Sequence, residues 1–137
     1  MRTKSLEAAF RATTYRVETT EGPFDLRVDV SNPAFDAVLR RQGVSCWGVV
    51  TACNPGGIQC DGQNPQSRDR LRERLKASGH LHFPAMNLAD DETWPAEPGF
   101  MLLQASEIEL ITLASEFSQL AVVYGVVGSA PRLVWID

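Results

Sequence analysis

The stretch VSCWGVVTA, residues 44–52, is nearly continuously apolar and decides the fold. A run of this kind predicts a central β-strand that is buried on both faces. It continues into the glycine-bearing loop CNPGG (53–57), and the motif NPQSR (64–68) then begins a helix. Strand, loop and helix start meet at residues 51–68. Free backbone N–H groups and polar side chains there favour a bound anion or another small ligand.

Strand and helix patterns alternate along the rest of the chain. Residues 14–19 and 24–30 alternate apolar with polar side chains around a turn, which predicts a β-hairpin. An Asn-Pro pair at Asn32 and another at Asn64 predict two helix starts, and the capping box from Ser106 to Glu109 predicts a third. Further strands are expected at 81–88, 100–104, 120–127 and 132–136, with a loop at 89–99. We expect one α+β domain over residues 1–137, with a mixed β-sheet and about three main helices packed mostly on one face.

The composition excludes several classes of protein. A chain of 137 residues is long enough for one domain with a real core. The net charge of -4 lacks the basic excess of a nucleic-acid binder, so we expect no nucleic-acid partner. The first residues do not form a secretory signal, and no apolar run approaches the roughly 20 residues that span a bilayer. These features predict a cytoplasmic protein that does not enter membranes, and they leave its oligomeric state open.

The cysteines do not indicate a disulfide framework or a metal site. Cys46, Cys53 and Cys60 are odd in number and include no close C-x-x-C pair of the kind that structural zinc sites favour. His80 and His82 follow far along the chain, and nothing in the sequence brings them to a cysteine. We therefore expect no metal and no cofactor, and we do not expect a cysteine nucleophile.

Several short motifs together resemble a bacterial family known as domain of unknown function 3293. They cover nearly the whole chain: Thr14-Tyr15-Arg16-Val17, Thr51-Ala52-Cys53-Asn54-Pro55, Asn64 with Arg68 and Leu71, Pro84-Ala85, Trp94 before Glu97-Pro98, and Phe117-Ser118-Gln119 with Ala121. The resemblance implies a single-domain bacterial protein and no particular activity. Cys53, Gly57 and Ser118 depart from the family pattern. Ser118 stands where a glycine would take a left-handed conformation more cheaply, by about 1 kcal/mol.

The polar residues within these motifs, with the tryptophan, are the candidate ligand-binding residues: Asn54, Asn64, Arg68, Trp94, Glu97 and Gln119. Each also has a structural explanation. The asparagines suit a turn and a helix cap, and Gln119 suits the open carbonyls at a helix end. Arg68 lies one turn before Leu71 on the core-facing stripe of its helix, where it needs a partner such as Glu97.

Three functions fit these residues. The first is a binding domain for a small anionic or nucleotide-like ligand at residues 51–68, with Glu97 and Gln119 nearby. The second is a protein-interaction or regulatory module without catalysis. The third is a hydrolase that uses Glu97 with a metal or a water, and Glu97 is the one candidate catalytic residue. Whether the protein is an enzyme stays open, since no complete catalytic motif is present.

Overall fold

The computed structural model describes residues 3–53, 64–92 and 95–136. These residues form four helices and seven strands, in the order α1 (Lys4–Arg11), β1 (Thr13–Thr19), β2 (Gly22–Leu26), α2 (Pro33–Arg41), β3 (Cys46–Thr51), α3 (Asn64–Ser78), β4 (His82–Ala89), β5 (Glu97–Leu103), α4 (Glu107–Glu116), β6 (Ala121–Val126) and β7 (Arg132–Trp135). They build one α+β domain, as the sequence predicts. None of the helices in the described ranges is long and apolar enough to cross a bilayer.

All seven strands belong to one sheet with the order β2-β1-β4-β5-β3-β6-β7. Every pairing between these strands is antiparallel, so the prediction of a mixed sheet is wrong. The hairpin of β1 and β2 is confirmed, with Tyr15 opposite Leu26. The apolar run of β3 does not reveal strand direction, because any strand with helices over both faces is buried in the same way.

The sheet curls until its two ends approach each other. Asp29, in the segment that follows β2, donates its backbone N–H to the carbonyl oxygen of Pro131, just before β7, over 2.7 Å. The curl gives the sheet a concave face and a convex face. Pro84 lies where β4 has lost β1 as a neighbour, since that pairing ends at Ala85, and a proline without an N–H group is tolerated there.

Side chains of β3 alternate between two apolar clusters. Trp47 packs on the concave side with Phe35 of α2. Val50 packs on the convex side with Leu71 of α3 and Leu110 of α4. The helices are thus divided between the two faces, and the prediction that they pack mostly on one face is wrong. The apolar stripe of a helix shows that it covers something, but does not show which face of the sheet it covers.

Two glycines leave room for side chains that pack against the sheet. Gly125 of β6 lies directly opposite Trp47, and a Cβ atom at this position would overlap the indole ring. A Cβ atom at Gly48 would overlap the Leu110 side chain. Neither glycine is required by a special backbone conformation. Each is required because a side chain packs directly against it, and β3 and β6 remain regular strands.

The helix boundaries follow the sequence signals closely. Asn32 caps α2 by accepting the N–H of Phe35 over 3.1 Å, with Pro33 as the first helical residue. Ser106 and Glu109 form the predicted reciprocal capping box at the start of α4. At the other end of α4, Ser118 has a φ of 54°, and the N–H of Gln119 reaches back to the carbonyl of Ala114 over 3.0 Å. This is a Schellman ending with a serine in the position that favours glycine.

Replacing Ser118 by glycine should therefore stabilise the protein. We expect Ser118→Gly to raise the free energy of unfolding by about 1 kcal/mol, because glycine adopts a positive φ without the steric cost that a side chain brings. Equilibrium denaturation in urea measures the change. The matched control is Ser115→Gly, inside α4 and exposed, which should lower stability by roughly 0.5 kcal/mol. A loss of stability for Ser118→Gly would contradict the interpretation.

Candidate ligand-binding site

A cavity of about 250 Å³ lies between α1 and the concave face of the sheet. It is partly open to solvent, so a small molecule can enter it. Its apolar wall comes from both α1 and the sheet, and includes Leu6, Phe10, Val49, Val123 and Leu133. Among the described residues, its polar wall consists of Thr13, Tyr15, Thr51, Cys53, Asn87, Glu97 and Gln119. The space therefore suits a small molecule that is partly apolar and partly polar.

Helix α1 is held over the cavity by contacts at its C-terminal end. The Thr13 hydroxyl donates to the carbonyl of Ala9 over 2.7 Å, and the Tyr15 hydroxyl donates to the carbonyl of Phe10 over 3.3 Å. The Phe10 ring meets the Trp135 ring edge to face, with 5.5 Å between centroids. Arg11 forms an ion pair with Asp29. No residue of α1 is fully buried, so the helix covers the cavity without forming part of the main core.

Three polar side chains form a row across neighbouring strands at one end of the cavity. Asn87 of β4 pairs with Tyr15 of β1 on one side and with Glu97 of β5 on the other. All three line the cavity. The Asn87 Oδ1 atom is buried and has no hydrogen-bond partner among the described residues. A ligand that supplies an N–H or O–H group would satisfy this acceptor.

Tyr15 is a neutral hydrogen-bonding group in this row. Burial raises the pKa of its phenol well above the ordinary value, the neighbouring Thr13 hydroxyl opposes this shift, and the nearby charge of Glu97 adds to it. A phenol with a raised pKa keeps its proton at neutral pH, so Tyr15 is not a base. Glu97 is the first residue of β5, and not part of the loop that the sequence predicted, which fixes its backbone in the sheet.

Gln119 joins the end of α4 to the end of β3. Its side-chain Nε2 donates to the carbonyl oxygen of Phe117 over 3.2 Å and to that of Cys53 over 3.1 Å. The first bond satisfies an open helix carbonyl, as the sequence interpretation proposed. The second bond fixes the position of Cys53, the last described residue before position 64. Gln119 thus lines the cavity while both amide hydrogens are engaged by the backbone.

The structure separates the candidate residues of the sequence. Glu97 and Gln119 line the cavity, whereas Asn54 and Trp94 lie outside the described residues. Asn64 is the first residue of α3. Arg68 lies one turn before Leu71, which packs in the convex cluster, and neither Asn64 nor Arg68 is among the described lining residues. The ion pair between Arg68 and Glu97 that the sequence suggested does not occur among the described contacts, and the Arg68 Nε atom is buried there without a partner.

Sequence reasoning did not select Tyr15 and Asn87 as site residues. The alternation of side chains in both strands nevertheless points to these two residues. Tyr15 shares its side of β1 with the buried Val17, and Asn87 shares its side of β4 with the buried Ala85. A polar residue at an inward-facing position of an alternating strand indicates a polar interior. What the alternation could not supply was the register that puts these two residues next to Glu97.

The described contacts of the two histidines are with residues other than cysteine. His80 bonds the carboxylate of Glu109, and His82 meets the Phe100 ring edge to face at 5.6 Å between centroids. The bond with His80 is the main cause that lowers the pKa of Glu109 below its ordinary value. Within residues 3–53, 64–92 and 95–136, no group of three or more His, Cys, Asp or Glu side chains is arranged to hold a metal ion.

The comparison with family models agrees with the resemblance of the motifs. Residues 50–122 match the family described as Protein of unknown function (DUF3293). The protein belongs to the domain of unknown function 3293 family. No curated protein and no solved structure matches the chain. The matched range runs from the end of β3 into β6 and includes Asn87, Glu97 and Gln119, whereas α1 and Tyr15 precede it.

The bonds of Gln119 predict a measurable loss of stability. Replacing Gln119 by methionine keeps the length of the side chain and removes both donors, which leaves the carbonyls of Cys53 and Phe117 without this partner. We expect Gln119→Met to lower the free energy of unfolding by about 1–3 kcal/mol in urea denaturation. The control Gln66→Met, on the exposed surface of α3, should change it by less than about 0.5 kcal/mol. Equal effects of the two changes would contradict the bracing role of Gln119.

Proposed function

We propose that this protein binds a small organic molecule in the cavity between α1 and the concave face of the sheet. The observation that carries the proposal is the row of Tyr15, Asn87 and Glu97, which presents a buried, unsatisfied amide oxygen beside an open space. A concave space with a largely apolar lining and a few converging polar groups is the usual form of a small-molecule site. The row also lies beside Thr51, the first residue of the ligand site that the sequence predicted at residues 51–68.

The dimensions of the cavity limit the ligand. Pockets for drug-sized compounds occupy about 300–1,000 Å³, and the cavity of about 250 Å³ falls just below that range. A molecule of the size of an amino acid or a single aromatic ring fits this volume better than a dinucleotide does. Apolar residues from α1 and polar residues from the sheet meet in the cavity, which supports a ligand with one end of each kind.

Closing the cavity should abolish binding. Ala9 of α1 lines the cavity, while the neighbouring Ala8 is exposed on the outer side of the helix. We expect Ala9→Phe to place a ring in the cavity and to remove ligand responses, whereas Ala8→Phe adds the same ring to the surface and leaves them intact. A thermal-shift screen with small amines, alcohols, carboxylates, sugar phosphates and nucleotides tests this. A ligand at 100 times its dissociation constant adds about 2.7 kcal/mol of stability.

The outcomes of this screen decide between the proposal and its competitor. A compound that stabilises the wild-type protein and Ala8→Phe, but not Ala9→Phe, supports a ligand in the cavity. The absence of any stabilising compound would contradict the proposal and would favour the protein-interaction module. A compound that stabilises Ala9→Phe as well as the wild type would place its binding elsewhere, and would equally contradict a site in this cavity.

A second candidate is an anion at the start of α3, which was the expectation from the sequence. It keeps one supporting observation, the buried Nε atom of Arg68 that has no partner among the described residues. A guanidinium group in this state would gain from an anionic partner, since hydrogen bonds between ionised groups are the stronger ones. The site would be separate from the cavity, because Arg68 precedes a residue of the convex cluster.

Phosphate distinguishes this second candidate. If an anion binds beside Arg68, inorganic phosphate should raise the melting temperature of the wild-type protein more than that of Arg68→Gln. The control Arg70→Gln removes the same charge from an exposed position two residues along α3, and it should respond like the wild type. The comparison between variants cancels the general stabilisation that phosphate gives to any folded protein. Identical responses of all three proteins would rule out the anion site.

A further inference from the structure

Apart from the amide of Asn87, the hydroxyl and side-chain amide donors among the described residues of the cavity wall are engaged by the protein. Four of the polar lining residues donate to backbone carbonyls: Thr13 to Ala9 over 2.7 Å, Tyr15 to Phe10 over 3.3 Å, Thr51 to Pro98 over 3.0 Å, and Gln119 to Cys53 and Phe117. A hydroxyl that donates its hydrogen retains acceptor lone pairs, of which Thr51 already uses one for the N–H of Cys53, and a glutamine whose nitrogen is engaged retains its oxygen. The wall therefore offers a ligand mainly acceptors.

The charge of the cavity wall also favours a ligand that donates hydrogen bonds over an anion. Glu97 is a carboxylate among the lining residues, and no lysine, arginine or histidine occurs among those that the structure describes. Tyr15, whose phenol keeps its proton, contributes no charge. An anion that entered such a space would lose its hydration and find acceptors in place of donors, which is costly. A cation would find compensation for its lost hydration.

Asn87 adds an acceptor that is not yet engaged. Its Oδ1 lies buried between Tyr15 and Glu97, with no partner among the described residues. The terminal torsion of an asparagine side chain has broad preferences, so rotation of the amide would turn this buried oxygen toward the cavity. An ammonium group carries three donors and no acceptor, which matches acceptors arranged in a row.

We propose that the ligand of the cavity is a small protonated primary amine with an apolar body; this inference rests on the function proposed above. The ammonium group lies at the row of Tyr15, Asn87 and Glu97. The apolar body lies against α1, where Leu6 and Phe10 line the same cavity. A carboxylate offers no donor to this row, and an alcohol offers one donor with acceptors that meet acceptors.

Matched compounds test the ligand class on the wild-type protein. We would titrate benzylamine, benzyl alcohol and benzoate, which share one ring and differ in the polar group, and repeat the series with butylamine, butanol and butyrate. Isothermal titration calorimetry at neutral pH gives the affinities. We expect each amine to bind about tenfold or more tightly than its alcohol, with the carboxylate weakest, since hydrogen bonds to charged groups contribute more.

The results separate the two proposals. If the alcohol or the carboxylate binds as tightly as the amine, and Ala9→Phe abolishes that binding, the amine class is overturned while the cavity remains a ligand site. If none of the compounds in the titration and none in the broader screen binds, the function proposed for the cavity fails and the amine class fails with it. This comparison uses the wild-type protein for its main result, so it does not depend on how well a variant folds.

Glu97 provides the test at the level of a single residue. Glu97→Gln keeps the shape of the side chain and removes its charge, and should weaken benzylamine about tenfold or more while leaving benzyl alcohol nearly unchanged. Glu18→Gln makes the same change at an exposed position of β1 and should affect neither compound. An unchanged affinity of Glu97→Gln for benzylamine would overturn the inferred role of the charge, and with it the choice of an amine.

Discussion

The burial of β3 on both faces is the constraint on which the rest of the structure depends. Trp47 and Val49 enter the concave side while Val50 enters the convex side, so helices are needed over both. The strand can be covered so closely because Gly125 leaves room for the indole and Gly48 leaves room for α4. At the end of the strand the same alternation directs Thr51 to the concave side. There the core gives way to the cavity, because α1 covers the sheet without filling the space beneath it.

The cavity owes its chemical character to the way its wall is hydrogen-bonded. Thr13 and Tyr15 use their hydrogens to hold α1, and Thr51 and Gln119 use theirs to hold the ends of strands and of α4. These bonds stabilise the fold, and as a by-product they remove donors from the cavity. In such a site, the ligand is selected by the hydrogen-bonding groups that the fold itself does not use. The acceptors that remain oppose an anion and favour a molecule that brings its own hydrogens.

The parts of this fold that sequence could predict are local. The caps at Asn32 and Ser106 and the amide of Gln119 at a helix end each depend on residues a few positions apart. Strand direction and the face that each helix covers depend on contacts between distant segments, and both predictions about them were wrong. The polar row at the cavity also depends on contacts between distant segments. Tyr15, Asn87 and Glu97 are far apart in the chain, and only the register of three strands brings them together.

The helix that covers the cavity lies outside the segment that matches the family. The family match at residues 50–122 includes Asn87, Glu97 and Gln119, whereas the helical wall, with Ala9 and Phe10, precedes the match. If the cavity binds an amine, Asn87 and Glu97 of the matched segment bind the head group together with Tyr15, and α1 limits the size of the apolar body. Changes on the inner side of α1 would then alter which body fits without altering the recognised group. Substitutions at Glu97 would alter which head group is recognised and would not alter which apolar body fits, because the charge acts on the head group alone.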